Sequence, residues 1–216
     1  MTNKEFIQKA QSICDHKTLY VMGGYGQKLD ETKKTMFIRY YDYNRKAHRK
    51  AKITDASNDT LAFDCSGLVK SILWGWPNVK YNSGVMDMNA NAMRYSVPRV
   101  SKDFNNMVPG ELLWMQGHVG IYIGNGCVIE STPSWADGVQ VTKLIDRKWD
   151  CHFKFEPYIE YENIDEEGEA FITVAKGDTL GKIAKQYKTK VSVLMDLNPQ
   201  IEDKNKIYVG QKIRIK

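Results

Sequence analysis

A chain of 216 residues with 42% hydrophobic and 11% aromatic content has enough apolar side chains for one large or two small cores, which excludes a disordered polypeptide. No run approaches the roughly 18 to 20 uninterrupted apolar residues of a membrane span, and the opening MTNKEFIQKAQSICDHK lacks the apolar centre of a signal peptide, so a soluble protein made in the cytoplasm is expected. The net charge of +5 suits a polyanionic partner without choosing one, and the four cysteines (Cys14, Cys65, Cys127, Cys151) form no CxxC pair, which argues against disulfides and zinc ribbons alike.

In chain order, Phe6, Ala10 and Ile13 recur at helical spacing behind a cap at Thr2 or Asn3, predicting a helix that stops near Asp15. The apolar run Leu19 to Met22 ends in Gly23, Gly24 and Gly26, where the backbone must turn tightly or approach something closely. Residues 27–60 read as polar, with Tyr40, Tyr41 and Tyr43 just before the basic run Arg45 to Lys52. Asp64 is placed to cap a helix burying Leu68, Val69, Ile72, Leu73 and Trp76, ended by Gly75 and Pro77. A further helix is expected around 86–95. Alternating runs at 112–115, 119–123 and 127–131 then predict a strand meander. Residues 159–170 turn acidic and lose the apolar pattern, which marks a linker between a domain at 1–158 and one at 171–216. The second domain, a short strand, two short helices and a closing strand at 212–215, has ten Lys or Arg against four Asp or Glu.

Cys65 follows the helix cap directly. Its sulfur should feel the positive end of the helix dipole and the first-turn N–H groups, which favour thiolate and could also hold an oxyanion. The partner lies in HVGIYIGNGCVIES. A hairpin register centred on Gly124 pairs 122 with 126, 120 with 128 and 118 with 130, setting His118 opposite Glu130 with Val119, Ile121 and Ile129 on the other face. A thiol at a helix start and an imidazole oriented by a carboxylate are the parts needed for acyl transfer.

Phe63-Asp64-Cys65-Ser66-Gly67-Leu68-Val69 and His118-Val119-Gly120-Ile121-Tyr122-Ile123-Gly124-Asn125-Gly126 resemble the two signature blocks of NlpC-like cell-wall peptidases. Tyr20-Val21-Met22-Gly23-Gly24 is similar to that family's tyrosine block. The resemblance, over about residues 17–157, implies an α+β papain-like fold with the cysteine helix packed on an antiparallel sheet. It implies Cys65 as nucleophile, His118 as base, and Tyr20, Asp64 and Ser66 lining the substrate and oxyanion region. The implied reaction is cleavage of stem peptides, most often between D-glutamate and a diamino acid. Glu130 departs from the family, whose third polar residue is usually His, Asn or Gln. The long insertion at about 27–60 departs too, and reads either as an elaboration contacting substrate or wall, or as a solvated loop.

The C-terminal segment resembles a LysM domain through Val174, Gly177-Asp178-Thr179-Leu180, Ile183-Ala184, Leu197-Asn198-Pro199, Ile207, Val209-Gly210-Gln211 and Ile213. This implies a βααβ fold binding N-acetylglucosamine-containing glycan, with Gly177, Asp178, Thr179 and Leu180 on one side of a groove and Asn198, Pro199 and Ile201 on the other. His16, His48 and His152 have no ligand spacing, so no metal or cofactor is expected. No nucleic-acid module accompanies the basic run. The expected whole is a peptidoglycan hydrolase of phage endolysin type, reaching the cell wall after release. An amidase cutting between muramic acid and L-alanine, and an inactive glycan-binding protein, are the alternatives.

Overall fold

The computed structural model describes residues 1–161, 171–175, 177–187 and 189–215. The chain divides into two compact units, Met1–Asn163 and Ile164–Lys216. All but the first three residues of the expected acidic linker lie outside the described residues.

Helix α1 (Asn3–Cys14) opens the first unit through a reciprocal cap: the Thr2 hydroxyl accepts from Glu5 N at 3.2 Å while the Glu5 carboxylate accepts from Thr2 N at 3.0 Å. Its Phe6, Ala10 and Ile13 are buried. Strand β1 (Thr18–Tyr20) runs parallel to β3 (Leu61–Phe63), which pairs antiparallel with β2 (Tyr25–Lys28) in a small three-stranded sheet.

Between β2 and β3 the polar stretch folds into three helices, α2 (Glu31–Tyr40), α3 (Asp42–Arg45) and α4 (Ala47–Asp55). They are built on a small core of Leu29, Phe37 and Ile53 packed with Val21 and Ala62. This insertion is therefore not a solvated loop. Its helical period escapes a sequence reading because charged residues occupy inward positions. Lys34 is buried with its ammonium on Glu31 at 2.9 Å and on the Thr54 carbonyl at 3.1 Å, and Arg49 is 1% exposed.

Helix α5 (Cys65–Leu73) is capped by Asp64, whose carboxylate accepts from Gly67 N at 2.6 Å. It packs Leu68, Val69 and Ile72 against Leu112, Trp114, Val119, Ile121 and Ile129 of the main sheet in one apolar core. Helix α6 (Ala90–Tyr95) is shorter than its hydrophobic pattern suggested, because Asn89 caps it by accepting from Ala92 N and Met86 is left exposed.

The main sheet is antiparallel, in the order β7-β6-β5-β4-β8, from β4 (Leu112–Met115), β5 (His118–Gly124), β6 (Cys127–Thr132), β7 (Gly138–Lys143) and β8 (Cys151–Phe153). Strands β7 and β8 were not anticipated. The β5–β6 register also needs correction, since Ile121 faces Ile129 and Tyr122 faces Val128, two residues away from the expected pairing. The cause is the turn. Asn125 and Gly126 both have positive φ (50° and 68°) and close a two-residue loop, after which the register shifts between Tyr122 and Gly124. Because side chains alternate with period two, a slip of two leaves every residue on its expected face.

In the second unit, β9 (Phe171–Thr173) pairs antiparallel with β10 (Lys212–Arg214), and α7 (Leu180–Gln186) and α8 (Val191–Leu197) lie between them in sequence. Val174, Leu180, Ile183, Ala184, Leu194, Ile201 and Ile213 form its separate core.

Candidate active site

Cys65 is the first residue of α5, at the point where β3 hands the chain to the helix. Asp64 secures this junction by accepting from Gly67 N and the Ser66 hydroxyl (2.9 Å) with one oxygen and from Gly23 N (2.7 Å) with the other. The Asp64 and Ser66 side chains are thus engaged inside the protein, and what this turn offers a ligand is backbone. Gly67 is required by contact: a Cβ there would fall 1.8 Å from the Gly24 carbonyl oxygen.

The β4–β5 hairpin brings its turn onto the sulfur. Met115 pairs with His118 across a two-residue turn, and the Gly117 carbonyl lies 3.9 Å from Cys65 Sγ. Asn91 on α6 holds that turn, its side-chain oxygen accepting from Gly117 N at 2.8 Å and Trp114 Nε1 at 3.2 Å. Burial, and after it the Asp64 carboxylate, pushes the Cys65 thiol up to about 12, against hydrogen bonds from the N–H groups of Val119, Ser66 and Cys65 itself. The expectation that the helix start would favour thiolate meets an opposing effect here, since desolvation works against the dipole and raises the thiol.

His118 and Glu130 meet at 2.6 Å between Nε2 and Oε2. They meet on a diagonal of the β5–β6 ladder rather than directly opposite, as the corrected register requires. Glu130 is fully buried, and its other contacts were not foreseen. Thr142 Oγ1 on β7 donates to Oε1 at 2.7 Å, and Arg147 Nε reaches both carboxylate oxygens at 2.9 and 2.7 Å. Burial raises the Glu130 pKa, but hydrogen bonds from His118, Arg147 and Thr142 outweigh it and hold the carboxyl below its ordinary range. An anionic Glu130 requires the proton on Nε2, which leaves Nδ1 of the neutral ring as the acceptor. Trp149 stacks on the imidazole at 5.7 Å between centroids and 17° between planes.

Tyr20 is buried beside the same site. Burial first, then the nearby Cys65 and Asp64, raises its phenol pKa. The insertion reaches this tyrosine: Tyr43 packs edge-on against its ring at 5.7 Å, and Arg49 donates to the Tyr20 carbonyl. The sequence holds only faint signals for Arg147, Trp149, Asn91 and Tyr43, since none lies in a motif and each reaches the site through tertiary packing.

In the second unit, Thr179 caps α7 by accepting from Lys182 N, and Asp178 accepts from Ala175 N. The Leu180, Asn198 and Ile201 side chains are buried; of the three, only Leu180 borders the cavity beside α7. Asn198 instead ties α8 to β10, donating to Leu194 O and Arg214 O and accepting from Arg214 N at 2.7 Å. A cavity of about 470 Å³ does adjoin residues 178–181, faced by Val191, Lys204, Asn205 and Ile207. Pro199 is exposed.

A thiol at a helix start, beside the turn that carries a carboxylate-braced imidazole, is the equipment of a cysteine hydrolase. The chain belongs to the NlpC/P60 family, a family of cysteine peptidases, whose model matches residues 20–155; residues 172–216 match the LysM domain. Two curated relatives are endolysins: that of Bacillus phage B103, 57% identical over 42 residues (19% of this chain, 16% of that one), and that of Bacillus phage PZA, 51% identical over 53 residues (24% and 20%). The chain spans only a minor part of the length of these relatives. Among solved structures, the P60 domain of an antigen from M. avium subspecies paratuberculosis is similar at 19% identity and TM-score 0.42, covering 71% of this chain and 93% of that one. The peptidoglycan hydrolase RipB from Mycobacterium tuberculosis follows at 20% identity and TM-score 0.41, covering 71% and 64%.

Proposed function

We propose that the protein hydrolyses an amide of the peptidoglycan stem peptide, with Cys65 as nucleophile, His118 as base and Glu130 orienting His118. The observation that carries this reading is the position of the Cys65 sulfur against Gly117, one residue before an imidazole braced at 2.6 Å by a buried carboxylate. Nδ1 takes the thiol proton as sulfur attacks the carbonyl carbon, and N–H groups of the Cys65–Ser66 turn and of Val119 stabilise the oxyanion. The imidazolium then protonates the leaving amine, and water hydrolyses the thioester with His118 again accepting a proton. The bond is that between D-glutamate and a diamino acid, on the family resemblance. The LysM unit holds N-acetylglucosamine-containing glycan in the cavity beside Asp178 to Gly181. Short similarity to two phage endolysins supports action on the wall after release by a phage-type lytic system.

The test is mass spectrometry of products released from purified sacculi by the wild type and by Cys65→Ala. New diamino-acid amines, absent with the variant, are expected. Free L-alanine termini would identify an amidase instead, and sedimentation with sacculi without any product would reduce the protein to a glycan binder.

A further inference from the structure

We infer that Arg147 is a positioning residue of this site: it keeps Glu130 anionic and fixed, so that His118 is held in the one tautomer able to take the Cys65 proton. The inference rests on the cysteine-hydrolase reading above. Arg147 lies in the chain between a 3-10 turn (Leu144–Asp146) and β8. Its Nε is shared between both oxygens of Glu130, and its Nη2 donates to Thr132 Oγ1 at 2.7 Å. The guanidinium lies 4.8 Å from the centroid of the Trp135 ring, which supports its outer side. A fork held at one nitrogen by a carboxylate, at another by a hydroxyl and on one face by an indole has little freedom left.

The charged and titratable groups facing Glu130 are His118 from β5 and Arg147 from beyond β7; Thr142 of β7 adds a neutral donor. Without Arg147 a fully buried carboxylate would keep only the His118 imidazole and the Thr142 hydroxyl as partners. Desolvation would then raise its pKa, and a protonated Glu130 could itself donate to Nε2 and turn the ring to the wrong tautomer. The same segment supplies Trp149, which stacks on His118, so residues 147–149 grip both members of the pair.

The test compares wild type, Arg147→Met and Arg147→Lys. The Glu130 side-chain carboxyl is followed by carbon-13 NMR, assigned by its loss in Glu130→Gln, alongside the pH profile of sacculus digestion. Arg147→Met should titrate at higher pH than wild type, by roughly one unit, and the acid limb of activity should move up with it. Arg147→Lys should restore most of both. If the carboxyl titrates alike in all three folded proteins, the inference is overturned whatever the substrate proves to be. If the carboxyl moves as expected while neither the wild type nor either variant digests sacculi, Arg147 keeps its role and the proposed substrate fails.

Discussion

At the scale of single residues, the site combines groups whose environments pull in opposite directions. Glu130 stays ionised while fully buried because three donors converge on it, whereas Cys65 is buried with a carboxylate nearby and is driven toward the neutral thiol. From the direction of the Cys65 shift, proton transfer to His118 is expected to accompany the chemical step. Alkylation by iodoacetamide, followed by peptide mapping to separate the four cysteines, should be slow at Cys65 at pH 7 and climb by about tenfold per pH unit into the alkaline range. A rate already level below pH 7 would mean a preformed thiolate–imidazolium pair and would contradict the desolvated-thiol account. Stability follows the sign of the Glu130 shift. With a folded pKa below that of a glutamate in the unfolded chain, the network stabilises the fold above the unfolded pKa, and the contribution is lost as pH falls through the lowered folded value.

Elements position these residues through close backbone approach. Helix α5 can start where it does because Gly24 passes directly over Gly67, where the missing side chain leaves room for a carbonyl. Gly67→Ala cannot be relieved by a rotamer change, since the obstacle is main chain. The variant should lose about 3 kcal/mol or more of unfolding free energy in a urea titration, with digestion falling in parallel as Cys65 is displaced. A variant as stable and as active as wild type would show that α5 can slide without disturbing the thiol. The hairpin carrying His118 depends similarly on Asn91, whose one oxygen accepts from both Gly117 and Trp114. That residue belongs to the short helix α6, a separate element from the hairpin it supports.

At the scale of the molecule, the insertion is tied to the main sheet through a buried charge. Arg49 on α4 meets Asp137, in the turn before β7, at 2.6 Å, and Lys52 reaches the same oxygen at 2.5 Å. Arg49 Nε and Asp137 Oδ1 are buried and unpartnered among the described residues, so this contact is incompletely satisfied and sensitive to loss. Asp137→Asn removes the charge while keeping a residue that tolerates its φ of 55°. It should cost about 3 kcal/mol in unfolding free energy and, by releasing Arg49 from the Tyr20 carbonyl region, should loosen the Tyr20–Tyr43 pair, readable as a change in near-ultraviolet circular dichroism. A change under about 0.5 kcal/mol with an unaltered spectrum would place the insertion outside the stability of the site.

Much of this architecture was legible from residue order alone, and for local reasons. Thr2 and Asp64 cap helices whose apolar faces follow at helical spacing, and the alternation at 112–131 yields three strands with the expected faces. Cys65, His118 and Glu130 could be singled out because a helix start and a hairpin each confine a few neighbouring residues. What only the tertiary structure decided involves distant partners. The Asn125-Gly126 turn moved the register by two, the insertion buried Lys34 and Arg49 where sequence shows only charge, and Arg147 and Trp149 came from beyond β7 to hold His118 and Glu130. Sequence patterns report which side of an element is apolar. Which charge meets which across the chain, and whether desolvation or a helix dipole governs a thiol, depends on distances and burial that arise only once the elements have packed.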